Sequence, residues 1–266
     1  MEEVKEKGKV CLTGGSGYLG SWMVTRLLQV GYSVNTTIRS HPELRRKKKG
    51  DLLRNQHAFE SNLLICVITK YVQVSMKILN SLLDCKKDVS YLTNLPGAQE
   101  RLHIFNADLA RPESFKAAIE GCIGVFHVAH PMELENKESE EMITQRSIDS
   151  IIGHQNNSMS YPPIVPFVHV DDVTNAHIFL LENPNAKGRY ICSAVEITRE
   201  KLAEFLSTRY PEYRKQINEY TGSSVEQPKH TSLSSKKLLE IGFKYKYGLE
   251  EMFDGAIECC KQKGIL

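Results

Sequence analysis

Gly14, Gly17 and Gly20 stand at three-residue spacing between a β-prone run, Lys9 to Thr13, and a stretch in which Met23, Val24, Leu27 and Leu28 recur at helical spacing. A glycine-rich turn in that place lets the backbone come close to a pyrophosphate, while the helix behind it supplies N–H donors and a partial positive charge. The spacing is G-x-x-G-x-x-G rather than the G-x-G-x-x-G of the common dinucleotide turn, so the flanking strand and helix carry the inference. The bland alternative is a glycine loop needed only for tight packing. A site for NAD would put an acidic residue about 20 positions further on, to accept from the ribose hydroxyls. No Asp or Glu occurs between Gly20 and Glu43. Arg39 follows the second strand instead, and its guanidinium can fork onto a 2′-phosphate, with Arg46 adding a second charge. The residues favour NADP(H) over NAD. For Arg39 and for Lys47 to Lys49 the competing reading is a solvated basic face.

The elements that must position this turn read as an alternation of strands and helices. After the helix stops at Gly31, a second strand spans Ser33 to Ile38, which makes strand, glycine turn, helix, strand. Further on, strands are predicted at Leu102 to Asn106 and Gly124 to Val128, with helices at Pro112 to Glu120 and Lys137 to Ile152. Ile164 to Val170 reads as a strand, Asp171 to Glu182 as a helix, and Arg189 to Cys192 as a strand. Helices at Arg199 to Arg209 and Leu249 to Lys263 complete the pattern. Two stretches break the rhythm. Arg45 to Lys87 opens with a basic run and continues as a mixed apolar segment where an α/β unit wants a short connection, so it reads as an insertion. His154 to Pro163 is polar and turn-rich, and reads as a seam.

Composition bounds the rest. In 266 residues, 41% apolar and 25% charged, there is enough for an ordinary globular core, which excludes a disordered or fibrous chain. Lys and Arg number 34 against 32 Asp and Glu, a balance that gives nucleic-acid binding little support. The longest apolar stretch, Leu63 to Ile68, falls far below the roughly 18 residues of a membrane span. The first residues carry both signs of charge and lack the apolar core of a signal peptide. Seven scattered Cys show neither pairing nor metal-ligand spacing, which points to a reduced, cytoplasmic protein without a metal site.

Several ordered stretches resemble one family. Thr13 to Gly20 (TGGSGYLG), Ser33 to Arg39 (SVNTTIR), Asn106 to Leu109 (NADL), Val125 to Pro131 (VFHVAHP), Phe167 to Val173 (FVHVDDV) and Asn175 to Ile178 (NAHI) are similar to the plant reductases of the extended short-chain dehydrogenase/reductase family. That group contains dihydroflavonol 4-reductase, anthocyanidin reductase, cinnamoyl-CoA reductase and vestitone reductase, and Asp88 to Ala98 and Glu251 to Lys263 resemble its vestitone reductase branch. The likeness covers 9–44, 88–153 and 165–266. It implies a Rossmann-like doubly wound parallel sheet with a small C-terminal substrate-binding lobe, NADP(H) as cofactor, and a phenolic small molecule of the flavonoid or phenylpropanoid type as the CH–OH/C=O substrate. Carried over by position, Gly14, Gly17, Tyr18, Leu19 and Gly20 would hold the pyrophosphate, and Arg39 and Arg46 the 2′-phosphate. Asp108 and Leu109 would flank the adenine, and Val128, Ala129 and His130 would run towards the nicotinamide. The domains would be 1–153 for the nucleotide, with 45–87 inserted, and 164–266 for the substrate lobe, joined by the 154–163 seam. Asp108 could instead cap the turn that follows it, and His127 or His130 alone is more often a structural histidine than a functional one. Asp171 and Asp172 read as helix N-cap and first-turn acids.

One part of the family pattern is absent. Carbonyl reduction leaves an alkoxide that needs a proton, and in this family a Tyr-x-x-x-Lys motif supplies it, the Lys lying on the same helix face as the Tyr. None of the eleven Tyr here has Lys at the fourth following position, and the sequence shows no partner that would tune Tyr161 or His130 as a substitute. The resemblance places the Ser-bearing strand, the Tyr-Lys helix and the strand after it between Gly153 and Ile164, where ten residues stand. The sheet is therefore expected to lack its fifth and sixth strands, leaving Gly124 to Val128 as an open edge. No catalytic residue is assigned, and a non-catalytic NADP-binding protein or a non-functional truncated product stands as the alternative to a reductase. The insertion and the seam have the form of a retained intron and a skipped exon; the transcript sequence across both breaks separates that from a diverged paralogue.

Overall fold

Residues 6–38, 67–68, 89–129, 164–214 and 233–262 are described in the computed structural model, and they fall into two units. The described residues of the first unit are 6–38, 89–129 and 174–189; those of the second are 67–68, 164–173, 190–214 and 233–262.

In the first unit, Lys9–Thr13 (β1), Ser33–Ile38 (β2), Leu102–Asn106 (β4) and Gly124–His127 (β5) form a parallel sheet in the order β4-β2-β1-β5. The two central strands are buried almost throughout, as expected of parallel strands covered on both faces. The helix Tyr18–Gln29 (α1) buries Met23, Val24, Leu27 and Leu28, the periodic set read from the sequence, together with Leu19. Gly31 ends it at φ +99, with Tyr32 N–H donating to Leu27 O and Gly31 N–H to Leu28 O, a Schellman closure that reverses the chain directly into β2. Arg101 Nη1 donates to Leu28 O at 2.8 Å, so a cation completes the same helix end. Two single turns, Ser90–Thr93 (α2) and Ala98–Arg101 (α3), lead into β4.

The helix expected at Pro112 to Glu120 is a 3₁₀ turn, Pro112–Phe115, followed by the short helix Lys116–Ile119 (α4). Ser114 Oγ donates to Arg111 O at 2.6 Å and accepts from Asp108 N–H at 3.0 Å, a local arrangement that competes with helix propagation, and Gly121 at φ +72 stops it. From the helix Val170–Glu182 (α5), His177 meets Phe126 edge-on at 6.1 Å, and Leu181 covers Gly124. Among the described residues β5 ends the sheet.

In the second unit, Ile164–Phe167 (β6) pairs antiparallel with Val195–Thr198 (β8), and Val67–Ile68 (β3) pairs parallel with Tyr190–Ile191 (β7). Strand β3 comes from the insertion. The strand expected to reach Val170 ends at Phe167, because Asp171 N–H donates to His169 Nδ1 and α5 begins at Val170 with acids in its first turn. Strand β8 is not among the strands that the sequence predicts. The helices Arg199–Arg209 (α6), Lys236–Glu240 (α7) and Leu249–Gln262 (α8) complete the unit. Leu206, Tyr210 and Ile257 form one buried cluster in it, with Phe205 and Phe253 packed against them. The predicted helix at Lys137 to Ile152, the seam and the rest of the insertion lie outside the described residues.

Candidate functional site

The parallel register brings the C-terminal ends of the four strands of the first unit to one edge. Thr13 lies opposite Thr37 on one side and His127 on the other, and Ile38 lies opposite Asn106. In open parallel sheets this is the edge at which ligands bind. The glycine turn starts there. Gly14 and Gly15 both donate their N–H to Thr37 O at 3.0 Å, which pins the turn to β2, and Gly17 N–H closes it onto Gly14 O at 3.0 Å. Gly14 has φ +78, a conformation side chains rarely adopt. A Cβ at Gly20 would lie 2.1 Å from Gly14 O, and one at Gly15 would lie 2.0 Å from Thr36 Oγ1. Gly15 is thus a further obligatory glycine that the three-residue spacing did not single out.

Gly17 is the N-cap of α1, no side chain among the described residues caps that terminus, and the first turn holds no acidic residue. The positive end of the helix is left for an anion. The loop after β5 forms a second wall. Ala129 N–H donates to Thr13 Oγ1 at 3.1 Å, and a Cβ at Gly14 would sit 2.9 Å from Ala129 Cα, so the two backbones are packed against each other. Thr13 Oγ1 also lies 2.8 Å from His127 Nδ1. Partial withdrawal from water lowers the His127 pKa below its ordinary value. Beyond β2, Ala107 N–H donates to Ile38 O at 3.1 Å and places Asp108 and Leu109 at the same edge. Asp108 Oδ1 accepts from Ala110 N–H at 3.0 Å, the local turn cap that was the alternative to an adenine contact.

The structure therefore brings together Gly14, Gly17, Tyr18, Leu19, Gly20, Asp108, Leu109, Val128 and Ala129 at one sheet edge. Arg39, Arg46 and His130 lie outside the described residues, as does Tyr161. Thr13, Thr37 and His127 join the set without having been assigned; the signal was available, since each is the last or next-to-last polar residue of a strand whose C-terminal end was already legible. The fit to a dinucleotide rests on the turn itself, whose tight glycines and uncapped helix end are what a pyrophosphate needs.

Asp171 and Asp172, in the second unit, are occupied in holding structure. Asp172 accepts from Lys246 N–H at 3.0 Å and Tyr247 N–H at 3.1 Å, and Asp171 Oδ2 accepts from Tyr247 OH at 3.2 Å. Two open cavities, of about 620 and 550 Å³, also lie in the second unit, one beside Phe205 and Arg209 and the other beside Ser193 and Ser235. Neither is lined by a residue of the glycine turn.

Comparison with known proteins places this architecture. The chain is 32% identical to vestitone reductase of Medicago sativa, covering 98% of this chain and 99% of the relative. It is 33% identical to Protein BRI1-5 ENHANCED 1 of Arabidopsis thaliana over 98% and 90%, and 29% identical to a dihydroflavonol 4-reductase of Callistephus chinensis over 97% and 87%. The crystal structure of vestitone reductase from alfalfa superposes with a TM-score of 0.64 at 29% identity, covering 98% of this chain and all of that one. No protein-family model matches the chain. The alignment with vestitone reductase runs over 368 positions, so about a hundred of them hold no residue of this 266-residue chain. Identity at this level across nearly the whole of both sequences, on a four-stranded parallel sheet with a glycine turn at its carboxyl edge, establishes that the chain belongs to the dihydroflavonol-reductase-like plant branch of the extended short-chain dehydrogenase/reductases.

Proposed function

We propose that this chain is an NADPH-dependent oxidoreductase acting on the CH–OH/C=O group of a flavonoid- or phenylpropanoid-type substrate. The observation that carries this is the glycine turn, pinned to β2 and packed against Ala129 at the carboxyl edge of the sheet. Gly14, Gly17, Tyr18, Leu19 and Gly20 form the turn that holds the pyrophosphate, Gly14 and Gly17 by closing it tightly and Tyr18, Leu19 and Gly20 at the positive end of α1. Arg39 and Arg46 pair with the 2′-phosphate, Asp108 and Leu109 flank the adenine, and Val128, Ala129 and His130 line the way to the nicotinamide. Residues 1–153 form the nucleotide-binding domain and 164–266 the lobe that takes the phenolic substrate, in a cytoplasmic protein. No helix among the described residues is long and apolar enough to cross a membrane.

Bound NADPH supplies a hydride to the carbonyl carbon. The alkoxide left behind needs a proton, and no Tyr-x-x-x-Lys pair is present to donate it. That absence favours a second reading, a non-catalytic NADP-binding protein. One paired experiment separates the readings. Fluorescence titration should give NADPH binding about tenfold or more tighter than NADH, through the 2′-phosphate. Loss of NADPH absorbance on adding vestitone or a dihydroflavonol then marks a reductase. Tight binding without turnover marks the non-catalytic protein, and a folded chain that binds neither nucleotide refutes both.

A further inference from the structure

The hydroxyl of Thr13 joins the end of β1 to the loop after β5. Its Oγ1 accepts Ala129 N–H at 3.1 Å and faces His127 Nδ1 at 2.8 Å. A neutral imidazole whose Nδ1 is the acceptor takes the hydroxyl proton and leaves both lone pairs of Oγ1 turned away from the ring, one of them towards Ala129. An Nδ1 that carries a proton reverses the bond and drives the hydroxyl proton elsewhere. Gly14 follows Thr13 directly, and its Cα has no room for a Cβ against Ala129. A small change at Thr13 is therefore felt across the gap between the turn and the loop. We infer that His127 is a positioning residue for the cofactor, acting through Thr13: its unprotonated Nδ1 sets the Thr13 hydroxyl and so the spacing of the glycine turn from Val128 and Ala129. Nothing in the sequence motif assigned it this role.

The inference rests on the proposed NADPH site. Among the described residues Thr13 on β1 is the polar partner of the ring, and desolvation lowers the His127 pKa without a contribution from a charged group. A neutral ring at physiological pH is the state the geometry needs.

The test is NADPH affinity by fluorescence titration from about pH 8 to about pH 5, in the full chain, for the wild type, His127→Asn, Thr13→Val and Thr13→Ser. The 2′-phosphate of NADPH itself gains a proton near pH ~6, so the variant curves serve as the baseline. Wild-type affinity is expected to fall by about three- to tenfold more than that of His127→Asn over the acid half of the range, the effect of one mis-set hydrogen bond. Thr13→Val should weaken binding at every pH and abolish the extra dependence, and Thr13→Ser should restore both. Parallel curves for the wild type and His127→Asn, or no rescue by Ser, overturn the role of His127 while leaving the cofactor site standing. A folded wild type that binds no NADPH at any pH overturns the site and this inference with it.

Discussion

At the scale of single residues, the glycine turn makes the firmest demand. A Cβ at Gly20 meets the Gly14 carbonyl at 2.1 Å, and backbone cannot rotate aside as a side chain would. Gly20→Ala is expected to lower NADPH affinity beyond about tenfold and to cost about 1–3 kcal/mol in a urea melt. Gly121→Ala, at φ +72 with open space around it, should cost about 1 kcal/mol and leave affinity unchanged. Equal binding losses in the two variants would contradict the assignment. Asp172 makes a different kind of demand. Burial holds its carboxyl above the usual carboxylate range, although the amides of Lys246 and Tyr247 pull the other way. A folded-state pKa above the unfolded one means that the fold favours the protonated acid; this contribution is complete below the unfolded value and is lost as the pH rises through the folded value. The wild type should therefore gain stability over Asp172→Asn as the pH falls through the window just above the ordinary carboxylate range. Paired urea melts that keep a constant difference across that window would show the acid to be indifferent.

At the scale of elements, what could be read from the sequence followed from burial. Strands β1, β2 and β4 were legible to the residue and helix α1 by its periodic face between a glycine turn and a glycine stop; β1 and β2 are the solid β-prone runs of buried parallel strands, while the half-buried β4 shows only its β-prone composition. Short elements were less legible. Pro112 to Glu120 has helical composition, yet side-chain bonds from Ser114 and the glycine at 121 divide it into a 3₁₀ turn and one helical turn. Val195–Thr198 carries a strand signal in its Val-Glu-Ile-Thr alternation, but four half-buried residues have little weight without knowledge of the partner, β6. The site followed the same rule: its backbone glycines were visible, but the Thr13–His127 pairing depends on a register between strands 114 residues apart. Helix α6 offers a test at this level. Thr198 Oγ1 accepts from Lys201 N–H and caps the helix, whose own apolar pattern is weak. Thr198→Ala should cost about 1 kcal/mol and Thr198→Asn little. A thermal shift for Ala no larger than for Asn would remove the cap from the account of this helix.

For the whole molecule, the family fold meets a missing piece. About a hundred aligned positions of vestitone reductase have no residue here, and β5 ends the sheet among the described residues. Its sequence, Gly-Val-Phe-His, carries neither the charge nor the proline that usually protects an edge. The chain as written is expected to be marginally stable and to aggregate on heating, at a temperature that falls as concentration rises. Static light scattering during a melt measures this, and a monomer that unfolds cooperatively at one temperature whatever its concentration would contradict it. The Asp172 clasp has the opposite consequence elsewhere in the chain. Lys246 and Tyr247 lie outside any helix or strand, yet their amides donate to a carboxylate that is almost wholly buried. In deuterium oxide they should behave as helical amides do, keeping their protons long after the neighbouring loop has exchanged, so that the slowest clock in this irregular segment is set by an acid more than seventy residues away.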